Sequence, residues 1–394
     1  MPKRKHVVAG FFGILAVLGC TQAMLDKSVP PGESVQAPVF EVDPLWPKPL
    51  PNHWLLGMTI GVHVDEQDNV WIIHRSSATL NNNERGAEIS PPTGECCRGA
   101  PPVLVFDPAG NLIRHWGGPG PGYEWPMSNH GIFVDHKGNV WIGGNGEKDA
   151  HVLKFTKDGK FLAQYGHLGG NKGSNDLENF GRVAKIFVDP KNNEAYISDG
   201  YGNKRVAVID ADTGKFKRYW GAYGNKPDDT NLGPYNPDAP PAQQFRNPVH
   251  CAMLSNDRIL YVCDRPNDRI QVFTEDGKFI KEVFVKKKTL GDGSTWDIAF
   301  SNDAQQKFIY LADGHDEKVW ILDRQSLDIL TSFGDGGKMP GQFYAVHSIA
   351  TDSKGNIYTT ETYDGRRLQR FLYKGMQTVT KGQDQGTVWP RSTH

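Results

Sequence analysis

Three segments place a histidine at the same point of a recurring pattern. They are His130-Gly131-Ile132-Phe133-Val134-Asp135, His250-Cys251-Ala252-Met253-Leu254-Ser255 and His347-Ser348-Ile349-Ala350-Thr351-Asp352, each a short apolar run closed by Asp or Ser. The repeats between them carry Ile60, Ala184 and Trp296 at the matching place. Neutral imidazole is the commonest metal-ligating side chain, and three with an open fourth position are the pattern of a catalytic zinc site. One histidine at a loop end is ordinarily polar filler. Three at one register on alternate repeats read as a single site, so His130, His250 and His347 are the expected metal ligands. Zinc is the default ion by ligand type, and iron or another divalent ion suits three imidazoles nearly as well.

Two arginines and a tyrosine share a second register. Arg75 ends Ile72-Ile73-His74-Arg75, Arg265 ends Cys263-Asp264-Arg265, and Gly200 falls at the same place, which puts Tyr201 one residue beyond it. A guanidinium fork matches a carboxylate bidentately. A tyrosine beside a divalent cation can give up its proton and serve as a base. The plainer alternatives are rim salt bridges for the arginines and an aromatic lid for Tyr201. His74, His136, His151, His167 and His315 lack the triad's register and read as surface or rim residues. Asp135, Asp189 and Asp352 read as turn formers.

The strands that carry these groups follow from the repeat. Its copies are VHVDEQDNVWII (62–73), IFVDHKGNVWIG (132–143), IFVDPKNNEAYIS (186–198), AMLSNDRILYVC (252–263), IAFSNDAQQKFIYLA (298–312) and IATDSKGNIYTT (349–360). A second hairpin follows each of the first five, as in VLKFTKDGKFLAQYG and IQVFTEDGKFIKEVF. Period-two alternation broken by Asp-Gly-like turns is strand-hairpin chemistry. Six units of four strands predict an all-β, six-bladed β-propeller. The sixth unit lacks a last strand after Leu368–Leu372, and Val39–Val42 is expected to supply it and close the ring. Alternate blades of a six-bladed ring lie roughly 120° apart, so the three imidazoles converge on its axis. The long loops near 76–102, 116–129 and 222–247 should leave the histidine face and wall a cavity above it.

Bulk properties narrow the setting. The 394 residues carry a formal net charge of −1, which with no basic stripe argues against nucleic acid as a partner. Lys3, Arg4 and Lys5 precede the apolar Val7–Gly19 and Cys20, the arrangement of an export signal too short to span a bilayer permanently. Val17-Leu18-Gly19-Cys20 is an imperfect lipobox, and cleavage after Ala23 is the competing outcome. The expected divisions are a signal over 1–23, a tether over 24–37, the propeller over 38–375 and a tail over 376–394. The product would be an exported monomer, periplasmic, secreted or held to the envelope through a lipid on Cys20. Of the five cysteines, Cys251 and Cys263 flank a turn symmetrically. Two buried thiols are the expectation there, with a disulfide as the alternative. Cys96 and Cys97 are adjacent in a Pro/Gly-rich loop, and their state is not readable.

Over about residues 40–375 the sequence resembles the lyase domain of peptidylglycine α-amidating enzymes, peptidyl-α-hydroxyglycine α-amidating lyase, an NHL-type propeller. The resemblance rests on the His74-Arg75 pair, on Asp199-Gly200-Tyr201 with Asn203 and Arg205, and on His250 followed by Asp264-Arg265, Asn267 and Arg269. It implies zinc on His130, His250 and His347, an active-site tyrosine at Tyr201 and two active-site arginines at Arg75 and Arg265. It also implies a small-molecule or peptide substrate with a carboxylate, cleaved to an amide and glyoxylate. Three positions depart from that pattern. Ala345 replaces a methionine, Ser348 replaces an aspartate that binds structural calcium, and Gly202 replaces a disulfide cysteine. Structural calcium is therefore not expected. Two other functions compete: a metal-dependent propeller hydrolase or lactonase, and a non-enzymatic propeller presenting its top face to a protein or glycan.

Overall fold

In the computed structural model, residues 32–390 are described, and they form a ring of six antiparallel sheets. The expected signal, Cys20 and most of the expected tether lie outside the described residues. Blade one runs Thr59–Val64, Val70–His74, Val103–Phe106 and Leu112–Trp116 from the axis outward. The innermost strands of blades two to six are Asn129–Val134, Lys185–Asp189, Val249–Leu254, Asp297–Phe300 and Val346–Thr351. Each ladder is a hairpin meander, as the Asp-Gly-like turns require.

The ring closes as the sequence predicts. Ser34–Asp43 pairs antiparallel with Leu368–Thr380 as the outer strand of blade six. Both chain-end assignments shift as a result. Residues 34–37 belong to this strand and not to a tether, because Ala37 is fully buried and Ser34 pairs with Thr380. Residues 376–380 continue the partner strand, and Gln383–Asp384 adds in parallel to the outer strand of blade five, so the expected tail is largely built into the fold. An outer strand left open would present unpaired backbone, and the two chain ends cover it.

Apolar clusters fill the wedges between blades. One joins Trp71, Ile73, Val105, Ile142 and Phe155 across blades one and two, and another joins Phe40, Tyr310, Phe333 and Phe371 across five and six. At the far end of the inner strands, Asp135, Asp189 and Asp352 do form turns, and Asp65 forms one too. Asp135 accepts the amides of Lys137 and Asn139 and also the Trp141 indole, at 2.9, 2.8 and 2.8 Å. Asp65 holds Trp71 at 3.0 Å and Asp352 holds Tyr358 at 3.0 Å in the same way. Each of these three turns thus pins a core aromatic of its neighbouring strand, which fixes the height of the inner strand along the axis.

Cys251 and Cys263 are bonded, which corrects the expectation of two thiols: they face each other directly across an antiparallel ladder. Cys96 and Cys97 are bonded as well. Two disulfides belong to an oxidising compartment. No helix among the described residues is long and apolar enough to cross a membrane.

Candidate metal centre

The inner strand changes register where the histidines stand. In blades two, four and six the ladder shifts between Asn129 and Ile132, Val249 and Cys251, and Val346 and Ser348. His250 and His347 are the residues skipped, and His130 lies within the skipped pair. An extra residue leaves the pleat and redirects its side chain, a device common beside active sites. The three imidazoles are buried, and their ring centroids stand 5.2, 4.8 and 4.8 Å apart.

The intervening repeats supply the supports. His130 Nδ1 donates to the Ala184 carbonyl at 2.7 Å, His250 Nδ1 to that of Trp296 at 2.5 Å, and His347 Nδ1 to that of Ile60 at 2.8 Å. A carbonyl only accepts, so the proton of each neutral ring sits on Nδ1 and the Nε2 lone pair is left for a ligand. The three residues that interrupt the histidine pattern are therefore the orienting positions of the site, through backbone atoms. Gly131 lets the chains approach: a Cβ there would lie 2.7 Å from the Ala184 oxygen.

Burial pushes all three imidazoles toward the neutral form. His347 is lowered to about 3, first by desolvation, and His130 and His250 fall well below their ordinary value for the same reason with added repulsion from His347. Neutral imidazoles with one ligand atom each, all within 4.8 Å of one another, fit a single divalent ion. The three buried histidines can hold a metal.

Tyr201 and both arginines meet the triad on one face. The Tyr201 hydroxyl lies 3.0 Å from Nε2 of His130 and 3.0 Å from Nε2 of His250, and Arg265 Nη1 is 3.4 Å from it. The Arg265 guanidinium stacks 4.3 Å from the Trp296 ring and reaches Asp292 at 3.7 Å. Across the site, Arg75 donates to Asn145 Oδ1 at 2.9 Å and meets Met58 Sδ at 3.6 Å, and burial lowers its affinity for its proton. Among the described residues, the buried Nε of each arginine has no hydrogen-bond partner. Two partly satisfied guanidinium groups beside a tyrosine hydroxyl are suited to an incoming anion.

The motif residues around them are taken up in buried ion pairs and turn contacts. Asp199 binds Arg205 Nε at 2.8 Å and Asp264 binds Arg269 Nε at 2.8 Å, with all four side chains fully buried. Asp199 also takes the Gly181 amide and Asn203, while Asn247 holds the carbonyls of Gly200 and Asn203 at 2.7 and 2.8 Å. These ties fix the turns that carry Tyr201 and Arg265. Sequence reasoning missed Asn145, Asp292 and Met58, which no repeat register marks. It also misplaced two histidines. His74 is fully buried, accepting the amides of Gly57 and Ser76 on Nδ1, each at 3.0 Å, and donating to Pro101 at 2.9 Å. His151 is buried and donates to the Glu124 carbonyl at 2.6 Å. Both are loop clamps: His74 ties the segments around Gly57, Ser76 and Pro101, and His151 ties the loop at Glu124.

A cavity of about 500 Å³ opens beside Arg265 and is lined by Lys204, Asp229, Tyr235, Arg246 and Asp292. A further cavity of about 530 Å³ lies at the opposite mouth of the channel, against His63, Phe133, Phe187 and Met253, and contains none of the site residues.

No protein-family model matches the chain. Among curated proteins it is 28% identical over 325 residues, 79% of its length, to the mouse peptidyl-glycine alpha-amidating monooxygenase. It is 24% identical over 319 residues, 78% of its length, to the B form of that monooxygenase from Xenopus laevis. The chain spans about a third of the length of these relatives, 30% and 33%. It is also 26% identical over 361 residues to mouse NHL repeat-containing protein 3, covering 86% of this chain and 85% of that one. Among solved structures, virginiamycin B lyase of Staphylococcus aureus with quinupristin aligns over 89% of both chains at 17% identity and a TM-score of 0.48. A streptogramin B lyase aligns over 86% of this chain and 98% of its own at 13% identity and the same TM-score of 0.48. The chain is a six-bladed β-propeller similar in sequence to an NHL-repeat protein and to part of the amidating monooxygenases.

Proposed function

We propose that the chain is an exported, metal-dependent carbon–nitrogen lyase that cleaves a peptidyl-α-hydroxyglycine-like carbinolamide to an amide and glyoxylate. The observation that carries this reading is the Tyr201 hydroxyl held 3.0 Å from two Nε2 atoms of a buried three-histidine set, with Arg265 beside it. Similarity to the amidating monooxygenases supports the substrate class.

A zinc ion on His130, His250 and His347 would supply a Lewis acid that favours loss of the substrate's hydroxyl proton. Arg265 and Arg75 bind the terminal carboxylate, which places the carbinol carbon under Tyr201. Tyr201, whose hydroxyl faces the triad, is the group assigned to take the substrate's hydroxyl proton and return it to the leaving nitrogen. The C–O bond becomes a carbonyl, the C–N bond breaks, and its electron pair is protonated at nitrogen, so no proton is gained or lost overall. Burial of the triad keeps water away from the reacting carbon. The cavity beside Arg265 receives the peptide side of the substrate.

The test is to incubate zinc-loaded protein with a synthetic peptidyl-α-hydroxyglycine and measure glyoxylate. Release above the metal-free control is expected. A loaded protein that releases none, yet opens lactones, would replace this reading with that of a hydrolase.

A further inference from the structure

Directly along the axis from the imidazoles, three polar side chains from three different blades meet. Lys185 Nζ lies 2.5 Å from Asp297 Oδ1, and Ser348 Oγ donates to Asp297 Oδ2 at 2.6 Å. Asp297 also accepts the amides of Ile298 and Ile349, at 2.8 and 3.2 Å, so both carboxylate oxygens are fully engaged. The lysine side chain is 13% exposed and the aspartate 2%. Only a void of about 10 Å³ separates this cluster from the histidines.

Each member sits one residue along from a position of the triad's register. Lys185 follows Ala184, whose carbonyl orients His130. Asp297 follows Trp296, whose carbonyl orients His250. Ser348 follows His347 itself. The cluster therefore ties together the backbone of blades three, five and six at the level that sets imidazole direction. A buried pair with every oxygen engaged favours one geometry over others. Ligand orientation through the far ring nitrogen is what tunes metal affinity.

We propose that Lys185, Asp297 and Ser348 form an internal brace that positions the three histidines for the metal, so that metal affinity depends on residues that never touch it. The brace rests on the reading of the triad as a metal site. It acts through the Ala184 and Trp296 carbonyls, which makes its members positioning residues.

The test compares zinc affinity and the absorption spectrum of the cobalt(II)-loaded protein in the parent, Lys185→Arg and the double variant Lys185→Met/Asp297→Asn. The double variant removes both charges at nearly constant volume, which avoids leaving one buried and unpaired. Its zinc dissociation constant should rise about tenfold or more, with altered cobalt bands, while Lys185→Arg keeps the parent spectrum. A double variant that binds zinc as tightly as the parent with unchanged bands overturns the brace and leaves the triad standing. A parent that takes up no zinc overturns the triad reading and the brace with it. If the double variant does not fold, Ser348→Ala carries the test: weaker zinc binding with shifted bands supports the brace, and parent values overturn it.

Discussion

The Nδ1 of His347 donates to the carbonyl of Ile60 at 2.8 Å, across 287 residues of chain. The Ile60 oxygen also accepts the Thr360 hydroxyl at 3.0 Å. Blade one thus orients the histidine of blade six, so the candidate metal centre is complete only when the ring is closed. The same relation recurs from blade two to three and from four to five.

Close approach of the strands is what makes these bonds short. Gly131→Ala would set a Cβ 2.7 Å from the Ala184 oxygen and 3.2 Å from Lys185 Cα, so blades two and three must move apart. Zinc affinity is expected to fall roughly 10–100-fold, the usual cost of disturbing an outer-shell partner, measured by competition with a chromophoric chelator. Unchanged affinity would separate the carbonyls from ligand orientation.

Tyr201 is assigned the proton transfer. Tyr201→Phe keeps the ring packed against His130 and His250 and removes the hydroxyl alone. We expect kcat for glyoxylate release to drop about 10²–10⁴-fold with bound metal unchanged. Parallel loss of metal would make the hydroxyl a support for the ion.

Arg75 and Arg265 are assigned the carboxylate. Losing a charge-assisted bond of about 1.5–3 kcal/mol in either methionine variant corresponds to roughly 10–100-fold in KM. A substrate carrying a carboxamide there should be turned over poorly by the parent and be insensitive to both variants. Equal loss on both substrates would contradict the clamp.

His74 gives a stability prediction. Burial lowers it from 6.5 to about 4, so between those values the unfolded chain binds more protons than the folded one. Its contribution is complete above about pH 6.5 and is lost as pH falls toward about 4, a change of ~3 kcal/mol. Burial raises Asp268 and Glu317 to about 7, and their dependence runs the other way. The comparison is therefore urea denaturation of metal-free parent and His74→Asn from pH 7 to 4.5. The variant should be the less stable at pH 7, with the gap narrowing on acidification, and a constant gap would contradict the assignment.

The six blades are readable because period-two hairpins repeat with their turns, and the histidine register is readable because repetition lends meaning to a residue type that means little alone. Ile60, Ala184 and Trp296 are visible as gaps in that pattern, but their role is carried by carbonyls, which every residue has. The register shifts that free the histidines have no side-chain signature. Lys185 and Asp297 lie in different repeats and become partners only through ring closure. His74 and His151 were unreadable as clamps because nothing local distinguishes a histidine under a loop from one on a rim. The Cys251–Cys263 pairing follows from hairpin symmetry, whereas bond formation depends on the compartment.

Metal content decides whether His130, His250 and His347 hold one catalytic ion. Elemental analysis of the purified parent chain and of His250→Ala, with circular dichroism showing both folded, should find about one divalent transition ion per parent chain and a large loss in the variant. Equal metal in the two proteins, or none in the parent after zinc loading, would contradict it.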